Sequence, residues 1–176
     1  MSWLKRNLVA LVVIVAAVPL LAFALVGYPM LERAKPPIQT VKQGDTIELA
    51  GYSFTLTKSA EFVGTGTGAG TNNIPVGSSL VGAVIEVAPT AGAATDGTCD
   101  TELTSRDGGT DRTWRTVSSP SDFDYAVGDD RTTICLFEGE AFELETVFLT
   151  PAGAYDHATV DVTVKSETYR FELVHE

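Results

Sequence analysis

Through most of the chain apolar side chains fall on every second position, and that period is the feature that most restricts the fold. Tyr52, Phe54 and Leu56 alternate with Ser53, Thr55 and Thr57. Phe142, Leu144, Thr146 and Phe148 alternate with Glu143, Glu145 and Val147, and Ala158, Val160, Val162 and Val164 alternate with Thr159, Asp161, Thr163 and Lys165. Successive side chains of a strand point to opposite faces, so a period of two marks strands that turn one face to a core. Ser166-Glu167-Thr168 then turns the chain, and Tyr169, Phe171 and Leu173 close the series. Beyond the leader no stretch carries the 3.6-residue period of an amphipathic helix. The expectation is an all-β body, an antiparallel β-sandwich of about eight short strands. Glu143 and Glu145 are expected on a solvated sheet face, where they would also blunt an edge.

Two segments sharpen this reading. Leu80 to Val87 is apolar on both faces apart from Glu86, as in a central strand covered from both sides. Around Asp107-Gly108-Gly109 two hairpin registers compete. A turn centred on Asp107-Gly108 would set Leu103 opposite Arg112 and Thr101 opposite Trp114. A turn centred on Gly108-Gly109 sets Leu103 opposite Trp114, Glu102 opposite Arg115 and Arg106 opposite Asp111. The second makes one apolar pair and two ion pairs, each worth a few tenths of a kcal/mol or more. It is therefore the register expected, with Cys99, Thr101, Leu103 and Trp114 on the inward face. Thr132 to Phe137, carrying Cys135, also reads as a strand.

Ahead of this body stands Leu8 to Val26, nineteen residues without a polar side chain. A helix of that length spans a hydrocarbon core roughly 30 Å thick. Lys5 and Arg6 before it, and Ala22-Phe23-Ala24 within it, also fit a cleavable secretory signal. The length and the polar flanks favour a retained anchor. The expected order is a cytoplasmic tail over 1–7, a transmembrane helix (or signal peptide) over 8–27, a proline-rich spacer over 28–38 and an extracellular sandwich over 39–176. Pro29, Pro36 and Pro37 make the spacer stiff. From Pro36 onward 8 basic residues face 22 acidic ones, a net of −14. A long acidic domain translocates largely regardless of its charge, so the body is placed outside and the short tail inside. The same charge argues against nucleic acid and anionic head groups as partners. Cys99 and Cys135 are the only cysteines, and in an oxidising exterior they are expected to pair.

Chemistry-bearing motifs are scarce. Gly64 to Ser79 is glycine-rich, but Ala69 and Thr71 stand where a G-x-G-x-x-G loop needs glycine, so it reads as a surface loop. Asp122, Asp124, Asp129 and Asp130 could gather a calcium ion. Without the EF-hand spacing and its closing glutamate they read better as turn formers, and no metal or cofactor is expected. Phe123 and Tyr125 in the same loop are either core plugs or an exposed pair for contacting a partner. His157, beside Asp156, and His175 are the only histidines. Neither sits in a G-x-S-x-G or H-E-x-x-H frame, so an enzyme is not expected.

The spacer, the Gly51-Tyr52-Ser53-Phe54-Thr55-Leu56 strand, the apolar Leu80 to Val87 strand, the Val147-Phe148-Leu149-Thr150-Pro151 segment and the final valine-rich hairpin resemble the Ig-like exported domains of actinobacteria. That family is mostly of unknown function and is similar in fold to secreted mycobacterial immunoprotective antigens. The resemblance spans about Val41 to Val174, implies an Ig-like sandwich and carries no functional residue across. The chain departs from it in lacking a lipid-anchor cysteine. The expected role is a surface-tethered binding or structural module that meets a protein or an envelope polymer. The alternatives are a small extracellular hydrolase and a calcium-stabilised interaction domain.

Overall fold

The computed structural model describes residues 38–64, 73–93, 95–107 and 110–174, with positions 7, 15, 17–19, 21 and 23 of the leader. Most of the expected anchor, the tail and the spacer lie outside the described residues. Among the described ones no helix is long and apolar enough to cross a membrane.

The body is a β-sandwich. Among the described residues its strands are β1 (Gln39–Val41), β2 (Thr46–Leu49), β3 (Tyr52–Val63), β4 (Ser78–Pro89), β5 (Asp100–Asp107), β6 (Thr110–Arg115), β7 (Arg131–Thr132), β8 (Phe142–Pro151), β9 (Ala158–Val164) and β10 (Glu167–Glu172). One sheet runs β1-β10-β9-β5-β6 and the other β2-β3-β4-β8-β7. Ten strands replace the eight or so expected, because β1 and β7 are only 3 and 2 residues long, too short to show a period. These two also break the antiparallel expectation: β1 pairs with β10, and β7 with β8, in parallel. The expected strand over Thr132 to Phe137 is confined to the short β7 and an isolated bridge between Leu136 and Thr98.

Local chemistry sets the strands. Ala50 and Gly51 both take positive φ, 54° and 86°, as a two-residue hairpin turn needs, and Leu49 then faces Tyr52. In the β5–β6 hairpin Leu103 faces Trp114, Glu102 faces Arg115 and Arg106 faces Asp111, the register that charge pairing favours. The apolar run lies in β4, central in its sheet, where only Glu86 of Leu80 to Val87 is exposed.

Inner faces of both sheets meet in one core. Tyr52, Phe54, Leu56, Ile85 and Phe148 come from one sheet, and Leu103, Val160, Val162 and Phe171 from the other, all with essentially no exposed surface. Each large side chain so buried contributes roughly 1.5–3 kcal/mol. Cys99 and Cys135 form a disulfide with Cα atoms 5.3 Å apart. It ties the approach to β5 in one sheet to the segment between β7 and β8 in the other. Two residues on, Phe137 stacks on Tyr52 at 4.2 Å and meets Phe54 edge-on at 6.3 Å. The covalent link therefore holds an aromatic plug in the core.

Candidate functional site

The outer face of the β3–β4–β8 sheet is not left to water. After Leu56 the pairing of β3 with β4 slips by one residue. Such a bulge reverses which side chains point outward. Tyr52, Phe54 and Leu56 face the core, but beyond the bulge it is Ala60 and Phe62 that face outward, opposite Gly82 and Leu80. On β8 the outward set is Glu143, Glu145, Val147 and Leu149. The segment from Ser118 to Thr132 lies across this face as a strap. Ile74, Leu80 and Val147 are buried beneath it, with Phe123, Tyr125 and Leu149 packed partly against them.

The strap is shaped by short-range hydrogen bonds. Pro120–Phe123 form a 3-10 turn that ends on Asp124 in the left-handed region, φ 56°. The Asp122 N–H donates to the Ser119 carbonyl at 3.1 Å, that of Asp124 to Ser121 at 3.1 Å and that of Tyr125 to Pro120 at 3.3 Å. This winding directs the Tyr125 ring down onto the sheet. Gly82 makes room for it, since a Cβ there would stand 2.8 Å from the phenol oxygen. The ring meets Phe62 edge-on with centroids 5.4 Å apart.

Glu145 is the clamp, with its side chain only 3% exposed. The Tyr125 hydroxyl donates to its Oε1 at 2.5 Å, while the Gly128 N–H and Arg131 Nη1 donate to its Oε2 at 3.0 and 3.2 Å. Arg131 Nε reaches Glu143 at 2.8 Å. Burial pushes the Glu145 carboxyl up, but the bonds from Tyr125, Gly128 and Arg131 outweigh it and hold the group below the usual carboxylate range. Burial first, and then the bond to Glu145, raise the Tyr125 phenol well above its ordinary value. The bond to Glu143, then that to Glu145, raises the Arg131 guanidinium. A carboxylate with three donors on it is a poor general base near neutral pH. The arrangement is suited to holding surfaces together.

Beside the clamp lies a groove of about 380 Å³, with Phe62, Ile74, Leu80, Phe123 and Tyr125 on its apolar side and Asp124, Arg131 and Glu145 on its polar side. That size and mixture suit a small ligand or one side chain of a partner. Phe62 is 42% exposed at its lip.

The residues singled out from sequence fall as follows. Phe123 and Tyr125 are brought together in this strap, each half-buried. Asp122, Asp124, Asp129 and Asp130 lie on its exposed side. Asp129 and Asp130 sit inside a turn closed by the Arg131 N–H on the Gly128 carbonyl at 3.0 Å. Among the described residues no three histidine, cysteine or acidic side chains converge to hold a metal ion. His157 is exposed at the end of the 3-10 turn Tyr155–His157, and His175 lies outside the described residues. Glu145 corrects the expectation of a solvated glutamate face: it is buried, and β8 is an inner strand between β4 and β7. Two signals pointed there. Val147 occupies the polar phase of the β8 alternation, and an apolar outer face on β4 requires a cover.

No family model matches the chain, and no curated protein matches it. Among solved structures it is similar to an uncharacterized β-sandwich protein from Clostridium difficile 630, at 11% identity and TM-score 0.46, covering 78% of this chain and 95% of that one. It is also similar to a candidate lipoprotein from Staphylococcus aureus subsp. aureus NCTC 8325, at 10% identity and TM-score 0.42, covering 75% of this chain and 90% of that one.

Proposed function

We propose that this protein is an exported module, an Ig-like sandwich held at the cell surface by its apolar leader, and that it binds a protein or envelope polymer through the strapped face. The observation that carries this reading is the groove beside the clamp. Phe62, Phe123 and Tyr125 present aromatic surface there, and the ionisable groups next to them are engaged with one another rather than poised for proton transfer. The apolar leader and the disulfide support an extracytoplasmic setting. The role is binding, without catalysis.

Two measurements test it. On intact cells producing the full chain, added protease should remove the body, and maleimide should label neither Cys99 nor Cys135 until a reductant is added. A protected body with two reactive thiols would overturn the placement. Wild-type chain should be retained on isolated cell-envelope material, and Phe62→Ala with Phe123→Ala should lower that retention without changing the far-UV spectrum. Equal retention of the variant would overturn the assignment of the face.

A further inference from the structure

The groove beside the clamp is two-sided in a way that specifies its occupant. Its apolar side holds three rings, Phe62, Phe123 and Tyr125. Phe62 and Tyr125 stand at 79° to one another, so they make a corner and not a flat stack. The faces of such rings carry negative potential and attract cations as well as apolar groups. The polar side holds Asp124, Arg131 and Glu145.

Those three charges are not equally available. Arg131 is already bound to Glu143 through Nε at 2.8 Å and to Glu145 through Nη1 at 3.2 Å. Glu145 accepts from Tyr125, Gly128 and Arg131. Asp124 differs: it is exposed, and among the described residues no hydrogen bond or ion pair engages its carboxylate. The charge that the groove still offers is therefore negative.

Its surroundings have the same sign. The strap and the outward phase of β8 carry six carboxylates, Asp122, Asp124, Asp129, Asp130, Glu143 and Glu145, against one base, Arg131. Lys58, on the same face, lines the adjoining polar groove of about 290 Å³ with Gln43, Thr57 and Ser59, and not this one.

We infer that the occupant is a basic side chain, lysine or arginine, presented by a partner protein. The inference rests on reading the strapped face as the binding face, and it narrows what binds there. A basic side chain joins an aliphatic stem to a charged head. Its stem fits against Phe62, Leu80 and Phe123, and its head reaches Asp124 at the rim. The groove, about 380 Å³, has room for one such chain. A leucine side chain would fill the apolar side but leave Asp124 desolvated and unpaired. A glutamate side chain, or a phosphate-bearing polymer, would meet six carboxylates.

Retention of the full chain, in detergent, on four pools of immobilised heptapeptides tests this. The flanks are random and uncharged, and the central residue is lysine, arginine, leucine or glutamate. The lysine and arginine pools should each retain about threefold more protein than the leucine pool, and the glutamate pool should retain least. Because the whole body is acidic, bulk attraction must be separated from the site. Asp124→Asn keeps a residue suited to the left-handed backbone there, and should lower retention on the basic pools about threefold. Glu167→Gln, which removes the same charge from an exposed position on the other sheet, should leave retention unchanged. Phe62→Ala should lower it about fivefold. Equal effects of Asp124→Asn and Glu167→Gln would overturn the inference. So would preference for the leucine pool that Phe62→Ala abolishes, although binding at the strapped face would then stand. Indifference of every pool to Phe62→Ala would overturn both.

Discussion

The two sheets carry the same device on their outer faces and use it differently. On the β5–β9–β10 sheet the buried acid is Asp161. Arg170, directly opposite it on the next strand, donates through Nε and Nη2 at 2.7 Å each, and Thr104 adds a bond at 3.1 Å. The bonds to Asp161 raise the Arg170 guanidinium. All partners belong to the sheet, and the hydroxyls around them close on one another, as Thr163 does on Thr168 at 2.9 Å. On the β3–β4–β8 sheet the buried acid is Glu145; two of its donors, the Tyr125 hydroxyl and the Gly128 N–H, come from the loop that precedes β7, and the third, Arg131, from the two-residue β7 at the loop's end. An acid satisfied within its sheet leaves that face open and polar. An acid satisfied by a distant segment draws the segment across the sheet and makes a covered face with a groove.

Several measurements would break or sharpen this contrast. Removing the disulfide with Cys99→Ser and Cys135→Ser should weaken both sheets together. The bridge spans 36 residues of sequence, and chain entropy puts the loss at about 4 kcal/mol in denaturant unfolding. Next comes the clamp. Glu145→Ala takes the acceptor from the Tyr125 hydroxyl and the Gly128 N–H and leaves Arg131 with Glu143 alone, and should cost about 2–3 kcal/mol. The clamp also sets an acid limit. The folded carboxyl titrates below its unfolded value. Its contribution is therefore complete above the ordinary glutamate value of about 4.3 and is lost as pH falls through the depressed folded value. Unfolding measured below about pH 4.5 should fall less steeply in Glu145→Gln than in wild type.

Gly82→Ala tests the contact rather than the charge. Its Cβ would collide with the Tyr125 phenol, so the strap must shift, at about 1–2 kcal/mol and with a changed near-UV spectrum. On the open face, Thr168→Ala removes one hydroxyl pair between strands and should cost only about 0.5 kcal/mol. If the two faces responded alike, the distinction between them would fail.

The sequence made the open face more legible than the covered one. The β5–β6 register could be read because opposite charges stand at matching distances from the turn, and a two-residue connection leaves few alternatives. The central place of β4 followed from apolar residues in both phases of its alternation. Glu145 was misread because alternation reports only that a side chain points away from the core, not what lies beyond it. Its cover is the Ser118 to Thr132 segment, whose Pro120, Gly128 and aspartates signal turns but not their destination. The outward turn of Phe62 depends on a one-residue bulge after Leu56, which no composition at that point announces. Asp161 was missed likewise: its burial depends on Arg170 folding back beside it, which only the register of β9 with β10 provides.

The Gly128 amide is the most direct probe of the strap. It donates to Glu145, so its protection from hydrogen exchange requires the loop to be clamped onto the sheet. The account predicts a slowly exchanging Gly128 amide in the native protein and loss of that protection in Glu145→Ala, while amides of β9 stay protected in both. Exchange of Gly128 at the rate of an open loop in the unmutated protein would contradict it.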